Sequence, residues 1–91
     1  MNLLEKFNLG SLVITPAAMN ELDQNSVIDS LIRHSRCDWG DVSESDGQEN
    51  DFSLKEGLRI FSVYHDSNEI KFWIITEADR SATTILLPDD Y

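Results

Sequence analysis

LRIFSVYHDSNEIKFWIITEADRSATTILL, residues 58–87, decides the fold. Leu58–His65, Ile70–Thr76 and Ala82–Leu87 are rich in β-branched and aromatic residues, the composition of strands. Asp66-Ser67-Asn68 supplies turn chemistry between the first two, because such side chains bond local backbone N–H groups. The run from Thr76 to Ser81 does the same between the second and third. The stretch therefore predicts a three-stranded antiparallel meander. Its alternation is imperfect. FWII and ILL carry apolar groups on both faces, so one face is expected against helices and the other partly covered. Trp73, between apolar neighbours, is expected in the core.

Upstream the period becomes helical. GSLVI, residues 10–14, reads as a short buried strand. Thr15-Pro16 looks like a helix start, with Thr15 as N-cap and Pro16 at the first helical position, where its missing N–H costs nothing. That helix is expected to run to about Asp23. Ser26 reads as the N-cap of a second helix, in which Val27, Ile28, Leu31 and Ile32 recur at helical spacing as far as about Arg36. Residues 37–51, CDWGDVSESDGQEND, are poor in apolar groups and rich in acids. Ser43 with Asp46 imitates a capping box, and a polar helix over about 44–56 ends at Gly57. The fold class is α+β, with two to three N-terminal helices packed on a C-terminal antiparallel meander of three to four strands. A chain of 91 residues makes a single domain, 1–91. Within it lie a flexible N-terminus (1–8), a strand with a helical hairpin (10–36), the acidic segment (37–56) and the meander (57–91).

Charge bounds the function. Seventeen Asp and Glu against seven Lys and Arg give a net charge of -10. Such a field opposes direct contact with nucleic acid or an anionic membrane, and favours a basic surface on a protein or nucleoprotein complex, including the basic clefts of nucleic-acid-binding proteins. Acidity also serves plain solubility. Cys37 is the one cysteine, so neither an internal disulfide nor a paired-cysteine metal motif can form. His34 and His65 share no ligand spacing with it. No metal and no cofactor is expected. The opening MNLLEKFNLG lacks the pattern of a signal peptide, and no apolar run approaches the ~20 residues of a membrane span. A soluble cytoplasmic protein is the expectation.

The candidate partner-binding residues are Asp38, Trp39, Asp41, Glu44, Asp46, Glu49 and Asp51 in the acidic segment, with Glu77, Asp79 and Arg80 in the last hairpin loop. Trp39 also fits a lid over a small core. Arg33, His34 and Arg36 end the second helix, where cations offset the negative pole of its dipole. His34, at the edge of the apolar face, is expected to be half covered, and His65 to sit at a hairpin tip. Arg80 has two readings. Held by Glu77, Asp79 or another acid, it fixes its loop; facing outward with Ser81, Thr83 and Thr84, it recognises a partner or an anion. An enzyme is the alternative class. Helices followed by a meander match the small toxin-type ribonucleases of RelE- and barnase-like architecture, in which His34, Tyr64, Glu77, Arg80 and Thr84 would supply acid–base groups. A charge of -10 opposes the approach of RNA.

DWGD at 38–41, Asn50, GLRIFSVY at 57–64 and WIITEADRSATTILLPDDY at 73–91 together carry a resemblance. From Leu9 onward the chain resembles a family of small proteins of bacterial plasmids and integrative elements, sometimes labelled plasmid-related and sometimes grouped with type I restriction systems. The family usually has Gly where this chain has Cys37, and its middle segment varies. Ninety-one residues are too few for a methyltransferase or a nuclease-motor subunit. The resemblance thus implies a setting, a mobile genetic element, rather than an activity. Together with the charge, that setting leads to the expectation of a non-catalytic inhibitor or modulator of a host restriction or CRISPR-type complex, its carboxylates occupying a basic cleft.

Overall fold

The computed structural model describes residues 5–91. In it, residues 58–87 form the antiparallel strands β2 (Ile60–His65), β3 (Lys71–Thr76) and β4 (Ala82–Leu86). They follow β1 (Ser11–Ile14) and the helices α1 (Pro16–Glu21), α2 (Gln24–Ser35) and α3 (Glu44–Glu56), and a short 3-10 turn closes the chain at Pro88–Asp90. The class is α+β, with helices before the meander. One feature differs from an all-antiparallel sheet. The order is β1-β4-β3-β2, and β1 pairs with β4 in parallel. The helices between β1 and β2 cross one face of the sheet, so β1 lands on the far edge from β2.

Register explains the core. Tyr64 lies opposite Phe72, Ser62 opposite Ile74, Ile74 opposite Ile85 and Thr76 opposite Thr83. With the two-residue alternation of a strand, these residues share one face, and all are buried. Ala18, Leu22 and Val27 of the α1–α2 region complete that cluster. The outer face carries Phe61, Trp73 and Ile75. Trp73 is therefore a strand residue but not a core one. It is only partly buried, and packs edge-on against Phe61 at 5.0 Å and Tyr91 at 5.6 Å.

The helix ends follow local chemistry. Thr15 accepts from the Ala18 N–H, and Ser43 from the Asp46 N–H, at 3.1 Å each. Gly57 ends α3 with φ 71°, a left-handed conformation that costs glycine little. The N-cap of α2 is Asp23 rather than Ser26. Asp23 is extended and accepts from both the N–H and the hydroxyl of Ser26 at 2.9 Å, so the helix begins three residues earlier than its apolar pattern. Asp66, nearly fully buried, clasps this corner to the β2–β3 turn by accepting from the N–H groups of Asp23, Asn68 and Ile70. Burial works to raise its carboxyl, but those three donors outweigh burial and hold it below the usual carboxylate range.

Of the N-terminus expected to be flexible, residues 1–4 lie outside the described residues. Residues 5–8 are tied down. The Lys6 N–H donates to the Ser35 carbonyl at 2.7 Å, and Phe7 packs edge-on against His34 at 5.4 Å. No helix among the described residues is long and apolar enough to cross a membrane.

Candidate functional site

The acidic segment runs beside the outer edge of β2, and four hydrogen bonds hold it there. The Val63 N–H donates to the Trp39 carbonyl at 3.1 Å, and the Asp41 N–H donates to the Val63 carbonyl at 2.7 Å. Gly40, at φ 74°, sits between them. A Cβ there would lie 2.0 Å from the Val63 carbonyl oxygen, so only glycine allows this approach. One step along the edge, Asn50 of α3 uses its amide as a surrogate strand. Its Nδ2 donates to the Phe61 carbonyl at 2.6 Å, and its Oδ1 accepts from the Phe61 N–H at 3.0 Å. The edge is thus closed, and α3 is fixed to it.

This anchorage sets the positions of the acids. Glu44, Asp46 and Glu49 are exposed along α3 and have no ion-pair partner among the described residues. Asp38 and Asp51 border, with Trp39, a shallow depression of about 460 Å³. Trp39 is buried and donates from Nε1 to Asp51 at 3.1 Å, and so serves as a lid and a support for that carboxylate. Arg33 grips Asp38 through two hydrogen bonds of 2.8 and 3.2 Å, which hold the Asp38 carboxyl below its usual range against the opposing effect of burial. Asp41 is exposed and meets Nδ1 of His65 at 2.7 Å. Residues 37–56 contain seven acids (Asp38, Asp41, Glu44, Asp46, Glu49, Asp51, Glu56) against Lys55, a net charge of -6 at one end of the sheet. The dipole of α3 accounts for part of this, since Glu44 and Asp46 lie in its first turn.

Glu77, Asp79 and Arg80 flank the other end of α3. Arg80 touches no carboxylate among the described residues. Its Nη1 donates to the carbonyls of Leu58, Glu77 and Ala78 at 2.7, 3.1 and 3.2 Å, and its Nη2 to the Ser53 carbonyl at 3.2 Å. The expected carboxylate partner is thereby corrected. At φ 61° the backbone of Arg80 turns the side chain back toward the C-terminal end of α3, where the Ser53 carbonyl also accepts from the N–H groups of Gly57 and Leu58. Its structural role stands on a different acceptor. Glu77 meets Arg59 at 3.4 Å instead, and Asp79 accepts from the Ser81 N–H at 3.0 Å.

His34 is fully buried rather than half covered, because hydroxyls await it on the sheet. Thr83 donates its hydroxyl to the Leu9 carbonyl at 2.7 Å. With that proton committed, Thr76 must donate to Thr83, at 2.7 Å, and so accepts from Nε2–H of His34 at 2.8 Å. Nδ1 is then the acceptor of the Ser62 hydroxyl at 2.6 Å. The network assigns one neutral tautomer. Burial, and secondarily the positive charge of Arg80, lower the His34 pKa to about 3.

The five residues of the enzyme alternative do not converge. His34 lies in the interior with both ring nitrogens bonded. The Tyr64 hydroxyl donates to the Asp38 carbonyl at 2.6 Å, and burial pushes the phenol up. Glu77 is paired with Arg59, Arg80 is held by carbonyls, and Thr84 falls on the opposite face of the sheet from Thr83. No group of three or more His, Cys, Asp and Glu among the described residues could hold a metal ion. Comparison with protein-family models, curated proteins and solved structures finds no match.

Proposed function

We propose that this chain is a non-catalytic acidic binding protein of a mobile genetic element. It inhibits or modulates a host nucleic-acid-binding defence complex, of restriction or CRISPR type, by setting its carboxylates into a basic cleft. The observation that carries the reading is the placement of Glu44, Asp46 and Glu49. All three are exposed on one helix whose position is fixed by Asn50 at the sheet edge and by Arg80 at its C-terminal end. Carboxylates held on a rigid support can face a basic surface as phosphates do, at little further ordering cost. The mobile-element setting rests on the sequence resemblance, and the basic partner on charge.

A capture experiment tests this. The wild-type chain and the triple variant Glu44→Gln/Asp46→Asn/Glu49→Gln are immobilised and passed through bacterial lysate, and the retained proteins are quantified by mass spectrometry. The proposal expects a basic nucleic-acid-binding complex on the wild type, and its loss from the variant at unchanged melting temperature. Equal retention by both proteins refutes it.

A further inference from the structure

The two edges of the sheet are treated differently. The β2 edge is closed by Asn50 and by residues 39–41. On the other side, the N–H groups of Ser11 and Thr15 donate to the Ser81 and Ile85 carbonyls at 3.0 and 3.1 Å. The odd-numbered residues of β1 therefore face β4, and Leu12 and Ile14 turn their backbone N–H and C=O groups outward. No other segment pairs with them among the described residues. This edge carries no Lys, Pro or bulge, the devices by which edges usually avoid pairing. Its side chains are apolar and open. Leu12 is 57% exposed and Val13 46%, while Ile28 (54%) and Ile32 (37%) form an i, i+4 pair on the neighbouring helix α2.

Charge decides the occupant. Residues 5–36 hold Glu5, Glu21, Asp23 and Asp29 against Lys6, Arg33 and Arg36, a net charge of only -1 out of -10. A basic partner is drawn to the far end of the sheet, whereas this edge suits a surface as neutral as itself. Helix α2 is also self-complementary. Asp29 adjoins Ile28, and Arg36 lies one turn beyond Ile32, so an antiparallel copy of the helix sets its basic end beside the acidic half.

We propose that β1 pairs antiparallel with β1 of a second copy of this chain, about a two-fold axis perpendicular to the sheet. In the register centred on Val13, Leu12 of one copy and Ile14 of the other exchange backbone hydrogen bonds. The same axis keeps both helix layers on one side, where Leu12, Ile28 and Ile32 of the two copies cover one another. Such an interface is isologous and closes at two. The acidic segments lie at opposite outer ends of the joined sheet, where screening within about 8–10 Å limits their repulsion.

Sedimentation across a range of micromolar concentrations tests this. The wild type is expected to show a concentration-dependent dimer. Leu12→Lys and Ile28→Lys, both at exposed side chains, are each expected to give a monomer with unchanged melting. In a Cys37→Ser background, Val13→Cys is expected to cross-link with oxidised glutathione, since facing residues of a non-hydrogen-bonded pair stand about 4.5 Å apart, within disulfide reach. A wild type that stays monomeric, including one that takes a strand from another protein, overturns the proposal. So does a dimer that survives both lysine substitutions.

Discussion

His34 makes the fold sensitive to mild acid in a way that can be worked out. Its folded pKa is lowered from 6.5 to about 3, so between those values the unfolded chain binds a proton that the folded chain refuses. Stability is at its full value above pH 6.5 and falls as pH drops toward 3. At pH 5, 1.5 units below the unfolded value, the loss is about 2 kcal/mol, at about 1.36 kcal/mol per unit. For a chain of this size that lowers the melting temperature by about 8–16 °C. Urea unfolding at pH 7, 6 and 5, followed by circular dichroism in a His65→Asn background, isolates the effect. Ordinary carboxylates titrate mostly below this window, near 4. In His34→Gln the slope between pH 7 and 5 should vanish, whatever the variant's own stability. A wild type flat over that range, or an equal slope in His34→Gln, refutes the neutral buried tautomer.

Asn50→Ala strips both partners from the Phe61 backbone, and each buried group left unpaired costs about 1–3 kcal/mol. A loss of about 2–4 kcal/mol in chemical denaturation is expected; less than about 0.5 kcal/mol contradicts the surrogate-strand role. Arg80→Lys keeps the charge but loses the fork that spans Ser53 and the 77–78 carbonyls, so about 1–2 kcal/mol is expected. Amide exchange should quicken at residues 53–58 and 77–81, and unchanged exchange there would show the clamp to be idle. Cys37 holds φ 68°, a conformation that costs a side-chain-bearing residue about 1–2 kcal/mol, partly offset by the greater unfolded freedom of glycine. Cys37→Gly should therefore raise the melting temperature by a few degrees, and a lowered one disproves the strain.

The fold was legible where local chemistry speaks. The Thr15 and Ser43 caps, the Gly57 stop and the three meander strands all follow from residues within a turn of one another. Long-range choices were not. Nothing in GSLVI reveals that β1 lies parallel to β4, because that pairing depends on how three helices span the sheet. Ser26 reads as a cap because it immediately precedes the apolar run, yet its N–H donates to Asp23. Arg80 sits among acids in sequence, but a positive φ aims it at carbonyls brought there by α3. The hydroxyls of Ser62, Thr76 and Thr83 look like ordinary strand residues. Only the register of β2, β3 and β4 shows that they line up beneath His34. Of the candidate site, the exposed acids of α3 were legible from composition. The supports that hold them, Asn50 and the approach of Gly40 to Val63, were not.

The proposed function has exposed, rigidly held carboxylates drive association with a basic partner. The most direct measurement is the association rate with the captured complex as ionic strength rises, for the wild type and for Glu44→Gln/Asp46→Asn/Glu49→Gln. A steep fall is expected for the wild type, since exposed charges are screened beyond about 8–10 Å at physiological salt. A slower, flatter profile is expected for the variant, with dissociation changed less than association. An association rate that is independent of salt, or identical in the two proteins, would contradict it.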